Sequence, residues 1–186
     1  MGNMKVQATP LEGLALIATQ PVRDERGQFV RVFCDAELGA LRPDLHWSQI
    51  NLSQTFHRGS VRGMHFQHPP AAEAKLIRCL RGSVFDVAVD LRAGSPTFLH
   101  WHGVELSENN GAQFFIPEGF AHGFQALTDN VQLLYMHTAS WQRTHEGGLR
   151  PDDPAMAISW PLPLMQVSEK DRNAPLLDDK FPGIHL

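Results

Sequence analysis

The chain has 186 residues, of which 42% are hydrophobic, enough to bury a core as one domain, so residues 1–186 are read as a single unit. Its formal charge of -4, from 16 basic and 20 acidic residues, leaves no basic stripe and excludes nucleic acid as a general partner. It contains no apolar run of about 18 residues and no secretory-type apolar start, so no membrane partner is expected and the location reads as cytoplasmic. The two cysteines, Cys34 and Cys79, lack zinc spacing and sit among apolar residues, which favours buried thiols over a disulfide or a nucleophile.

In chain order, a strand is expected over 29–33 and a helix over 35–41, with Asp35 as N-cap and Glu37 in its first turn. Strand-like runs follow over 47–53, 61–66, 75–80, 83–91, 97–106, 112–116, 122–127 and 131–139. Turn signals separate them: His68-Pro69-Pro70, Arg81-Gly82, Ala93-Gly94-Ser95-Pro96 and Glu108-Asn109-Asn110-Gly111. The clearest run is 83–91, where Phe85, Val87, Val89 and Leu91 share one face and Val84, Asp86, Ala88 and Asp90 share the other, so a carboxylate-bearing face opposes an apolar one. Strands at this spacing predict an all-β, double-sheet jelly roll. After Trp160, Pro161, Pro163, Pro175 and Pro182 predict a wrapped, irregular extension over 161–186.

Chemistry concentrates in Arg62-Gly63-Met64-His65-Phe66-Gln67 and in Lys75, which flank the Pro-Pro turn. Alternation along the strand sends Met64 and Phe66 one way and His65 and Gln67 the other. In isolation, His65 would read as a satisfied core histidine and Lys75 as an edge-strand lysine. Together, a histidine base and a fixed cation suit removal of a proton from carbon beside a carbonyl.

A second stretch, Pro117-Glu118-Gly119-Phe120-Ala121-His122, resembles the second motif of the cupin jelly rolls, whose histidine points into the barrel mouth. Metal-binding cupins carry His-x-His in their first motif, and here that place reads His65-Phe66-Gln67. No metal is therefore expected. The alternative, an iron(II)-type triad, would draw on His65, His122 and Glu73.

Taken together, Arg62 to Gln67, Lys75 to Arg92, Gly94-Ser95-Pro96-Thr97-Phe98, Ile116 to Phe124 and Ser168-Glu169-Lys170-Asp171 resemble the dTDP-4-dehydrorhamnose 3,5-epimerase family. The likeness runs from about Gly27 to Asp171. It implies a cupin-like homodimer without metal or other cofactor. The substrate is a nucleotide sugar: dTDP-4-keto-6-deoxy-D-glucose is converted to dTDP-4-keto-L-rhamnose in dTDP-L-rhamnose biosynthesis.

The resemblance also implies roles. His65 is the base, oriented by Asp171; Lys75 places positive charge at the enolate oxygen, with His122 adding a hydrogen bond; Tyr135, the single tyrosine of the chain, is the acid on the opposite face. For substrate binding it carries over Arg26, Phe29, Gln49, Asn51, Arg62, Glu146 and Lys170, with the N-terminal residues able to reach a neighbouring subunit's site. Arg26 and Arg62 suit a diphosphate, because guanidinium offers forked donors to phosphate oxygens.

The chain departs from the family's usual pattern at Trp141, Met136, Pro151 and Gln28, changes expected to cluster around the nucleotide-sugar and acid side of the pocket. Two other readings are a relative epimerising only C3 or C5 of another nucleotide 4-keto sugar, and a metal-dependent or non-catalytic jelly-roll binding module.

Overall fold

The computed structural model describes residues 4–39, 41–178 and 180–186. Among these residues there are thirteen strands and two short helices: β1 Met4–Ala8, β2 Ala15–Thr19, β3 Val22–Asp24, β4 Gly27–Phe29, α1 Asp35–Leu38, β5 Gln49–Thr55, β6 Val61–Gln67, β7 Lys75–Arg81, β8 Ser83–Asp90, β9 Trp101–Ser107, β10 Gln113–Ile116, β11 Phe120–Ala126, β12 Val131–His137, β13 Glu146–Gly148 and α2 Glu169–Arg172. A six-stranded sheet in the order β1-β2-β10-β7-β12-β5 faces a five-stranded sheet in the order β13-β6-β11-β8-β9, and β3-β4 forms a separate hairpin. This is the expected jelly roll.

Between the sheets, Val84 and Ala88 of β8 pack with Ile77, Phe114, Phe124 and Leu133, all buried. Burial of such side chains is the main favourable term holding the sheets together, and truncating one of the phenylalanines to alanine costs about 3–5 kcal/mol. The opposite face of β8 is buried as well. Val87, Val89 and Leu91 meet Leu149, Met156 and Ile184, so the stretch from Leu149 onward covers the outside of the five-stranded sheet. The outer face of the six-stranded sheet is capped in part by Leu38, Leu45 and Trp47 over Ile17, Leu76 and Phe115.

The β8 alternation holds in phase: the carboxylate-bearing face looks into the barrel, and both Asp86 and Asp90 are fully buried. Asp90 is satisfied there by Arg92, Ser95 and Thr97, which hold its carboxyl down at about 2 against the desolvation that works to raise it.

Other boundaries also differ from expectation. The early strand is only Gly27–Phe29, and the helix ends at Leu38 with Cys34 as its N-cap and Asp35 inside its first turn. A tight Leu41-to-Leu38 bond follows, and Pro43 disfavours helical backbone at Arg42, which stops the helix short of the predicted end. The tail is not wholly irregular. Ser168 caps α2 by accepting from the Asp171 amide, and the chain rejoins the body through bridges pairing Met165 with Ser60 and Ile184 with Arg92. Cys79 is buried and its thiol is pushed up to about 11 by desolvation, whereas Cys34 is only half-buried; both are free.

Candidate active site

One end of the barrel opens into a cavity of about 580 Å³ whose walls come from both sheets and the tail. From the five-stranded sheet come His65 on β6 and His122 on β11, which stand opposite each other in register. From the six-stranded sheet come Lys75 on β7 and Tyr135 and His137 on β12. Tyr135 and His137 are two apart on one strand and so project to one side.

The strands can approach closely at β6–β11 because Gly63 has φ +125°. A Cβ there would lie 2.5 Å from the Gly123 Cα and 2.8 Å from the His122 carbonyl oxygen. The same glycine frees its amide for the site. Asp171, delivered by α2, accepts from the Gly63 N–H at 3.3 Å with Oδ2 and meets His65 Nε2 at 2.7 Å with Oδ1. Desolvation works to raise Asp171, but His65, the Gly63 amide and Ser168 together hold it below the ordinary carboxyl value. An anionic Asp171 fixes the tautomer of His65 with Nδ1 free to accept a proton. About a third of the His65 side chain, 35%, remains exposed to the cavity.

His122 is enclosed, with 7% exposure, and its Nε2 lies 2.9 Å from Asp86 Oδ1. Burial pushes His122 down and Asp86 up, because neither charge is favoured inside the barrel, and their mutual attraction offsets part of both shifts. The other Asp86 oxygen has no hydrogen-bond partner. Tyr135 sits edge-on to His122 with ring centroids 6.1 Å apart, and its hydroxyl accepts from Ser53 Oγ at 3.3 Å. Burial pushes its phenol up, so it is protonated at neutral pH.

Lys75 Nζ donates to the His65 carbonyl at 3.3 Å and pairs with Glu73 at 3.3 Å. Glu73, the carboxylate that an iron-type triad would have used, is engaged by Lys75 and His137 instead. Among the described residues no three His, Cys, Asp or Glu side chains converge as metal ligands would.

The remaining expected residues divide into three groups. Asn51, Arg62, Glu146 and Lys170 line the cavity, Arg62 held by Thr55 Oγ1 and the Gln54 carbonyl, and Lys170 paired with Glu146 at 2.6 Å. Gln49 is not among the lining residues and accepts from the Trp141 amide. Arg26 and Phe29 lie on the β3–β4 hairpin, outside the cavity of their own chain, with Phe29 74% exposed and Arg26 bound to Asp24. Gln67 borders the cavity, but its amide is consumed by Ala71, Ser140 and Gln142, so it presents less to a ligand than its strand phase suggested.

The sequence matches the family described as dTDP-4-dehydrorhamnose 3,5-epimerase over residues 8–179. The chain belongs to that family. It is 42% identical over 178 residues to the dTDP-4-dehydrorhamnose 3,5-epimerase of Sinorhizobium fredii (strain NBRC 101917 / NGR234), covering 95% of this chain and 91% of that protein. It is 38% identical over 175 residues to the dTDP-4-dehydrorhamnose 3-epimerase of Streptomyces niveus, covering 94% of this chain and 84% of that one. The crystal structure of dTDP-6-deoxy-D-glucose-3,5-epimerase from Legionella pneumophila Philadelphia 1, in complex with dTDP-4-keto-L-rhamnose, superposes with a TM-score of 0.91 at 37% identity, covering 98% of this chain and 99% of that one.

Within this dTDP-sugar epimerase fold, the departures from the usual pattern do not cluster in the pocket as expected. Met136 faces away from the cavity and packs with Ile17 and Leu76, and the Pro151 carbonyl accepts from the Trp160 indole. Gln28 lies on the exposed hairpin, and only Trp141 of the four lines the cavity. Sequence reasoning gave His137 no role and considered Glu73 only as a metal ligand. The one available signal for His137 was its position two residues after Tyr135 on a strand.

Proposed function

We propose that this protein epimerises C3 and C5 of dTDP-4-keto-6-deoxy-D-glucose to give dTDP-4-keto-L-rhamnose, in dTDP-L-rhamnose biosynthesis. The observation that carries the reading is that base and acid stand on facing sheets: the His65–Asp171 pair on one wall, Tyr135 on the other, with Lys75 beside them.

A 4-keto sugar has acidic hydrogens on C3 and C5, because loss of either gives an enolate shared with the C4 oxygen. His65 takes the proton and Asp171 stabilises the imidazolium formed. Lys75 supplies positive charge to the developing oxyanion. In the tautomer whose Nε2 accepts from a protonated Asp86, His122 would add an Nδ1–H donor. Tyr135 then delivers a proton to the opposite ring face, which inverts the carbon. One base and one cation serve both carbons because both enolates place their charge on the same oxygen.

Arg62 fits a diphosphate oxygen, with Lys170 and Glu146 at the rim and Asn51 offering amide contacts to the base or sugar. Trp141 offers an indole face for stacking, with 54% of its surface open. A homodimer fits the surface. β5 is a sheet edge carrying Ile50 and Leu52, each 62% exposed, and the exposed hairpin would bring Arg26 and Phe29 to a partner's nucleotide. Work in the cytoplasm suits the two free thiols, and no helix among the described residues is long and apolar enough to cross a membrane.

A second reading, epimerisation at C3 alone, is favoured by the likeness to the Streptomyces niveus 3-epimerase. Turnover in deuterium oxide separates the two: label at C3 and C5 of the product supports the 3,5-epimerase, label at one carbon supports the monofunctional reading, and absence of exchange overturns both.

A further inference from the structure

Two titratable side chains in the cavity wall, Glu73 and His137, have no part in the proton transfers above. Glu73 lies in the loop before β7 and is almost closed off, and its two carboxylate oxygens are divided. Oε1 meets Lys75 Nζ at 3.3 Å and Oε2 meets His137 Nδ1 at 3.0 Å. A carboxylate only accepts, so the proton of the His137 ring belongs on Nδ1. Its Nε2 is then the acceptor for the Asn51 side-chain amide at 3.3 Å. Both ring nitrogens are satisfied without charging the imidazole.

His137 stands opposite Lys75 in the β12–β7 register, and its ring stacks against Tyr135 at 6.1 Å and 21°. Among the described residues Lys75 Nζ has two acceptors, the His65 carbonyl and Glu73, and Glu73 is the only one with a full charge. We propose that His137 is a positioning residue for the reaction proposed above: its Nδ1–H fixes the Glu73 carboxylate, and that carboxylate holds the Lys75 ammonium where the enolate oxygen develops. The inference rests on that functional reading. Desolvation works to raise Glu73, and the His137 hydrogen bond and the nearby Lys75 charge bring it below its ordinary value, so the carboxylate stays ionised because both partners are present.

Three substitutions and one spectrum test this. H137F keeps an aromatic ring against Tyr135 and removes the donor; H137N loses the ring but retains an N–H near the Nδ1 position; E73Q removes the charge. With the dTDP-4-keto sugar as probe, H137F and E73Q are each expected to lower kcat by about tenfold or more with KM within about twofold, since the ammonium matters most when the oxyanion forms. The double variant is expected to be no slower than the slower single one, because both act through one carboxylate, and H137N recovers most of the H137F loss. H137F turning over like wild type, additive losses in the double variant, or H137N as slow as H137F each overturn the proposal. Long-range proton–nitrogen NMR of the ligand-free protein is expected to find His137 protonated on Nδ1. If wild type does not turn over this substrate, the functional reading fails while the spectrum still decides the pair: Nδ1 protonation sustains it and Nε2 protonation overturns it.

Discussion

The barrel contains two histidine–aspartate pairs that are alike in composition and opposite in setting. His65 and Asp171 meet at 2.7 Å on the cavity wall, with the histidine 35% exposed and the aspartate carried in by the tail. His122 and Asp86 meet at 2.9 Å inside the barrel, with exposures of 7% and 0%. In the first, hydrogen bonds from His65 and the Gly63 amide keep the carboxyl anionic, ready to support an imidazolium. In the second, burial raises the carboxyl and lowers the imidazole, so the surroundings oppose charge on either partner. The same two residue types meet opposite electrostatic conditions because solvation and neighbours differ.

The sharpest way to break this contrast is D171N, which keeps the shape but removes the anion. It is expected to lower kcat by about 10³–10⁴-fold, as loss of an orienting carboxylate does elsewhere; an initial-rate loss below tenfold would mean His65 works without it. Next in size is Y135F. Product formation should fall by about 10²–10³-fold while recovered substrate still gains deuterium, since removal of a proton by His65 no longer leads to delivery on the far face. Equal loss of exchange and of product would place Tyr135 on the base's side of the ring.

The smallest effects concern pH and the fold, and they have opposite signs for the two aspartates. Asp171 has its folded value lowered from 3.8, so its contribution is present above that value and fades as pH falls through the folded one. Asp86 has its folded value raised from 3.8, so its contribution is present below that value and fades as pH rises through the folded one. Melting curves between acid and neutral pH should therefore show D171N removing a rise in Tm with pH and D86N removing a fall. At neutral pH a D86N cost within about 1 kcal/mol would mean that Asp86 is held as the protonated acid, which the amide resembles, whereas a loss of about 3–5 kcal/mol would mark a buried ion pair.

How far the sequence could be read depended on how local each signal was. β6 through β12 announce themselves by alternation and by turns rich in Gly, Pro and Asn. β1 and β2 do not: Met4–Ala8 is an edge strand with mostly exposed residues, and Ala15–Thr19 has no polar alternation because it is covered on both sides. β13 contains two glycines and pairs with β6 only through tertiary context. α2 was hidden by the surrounding prolines, although Ser168 with Asp171 three residues later is a capping pattern.

In the site, His65, His122 and Lys75 could be singled out from strand phase and motif. Asp171 was reachable only through resemblance, because 106 positions separate it from His65. Lys75, Glu73 and His137 converge through pairing of β7 with β12, a relation that no spacing along the chain expresses.

The tail that carries Asp171 gives the enzyme's chemistry a place in time. During synthesis on the ribosome, His65 leaves the exit tunnel 106 residues ahead of its carboxylate partner. Through most of translation the nascent protein therefore holds an imidazole without the group that orients it. The base-and-carboxylate pair proposed here is complete only once Asp171 has been made and α2 laid against β6.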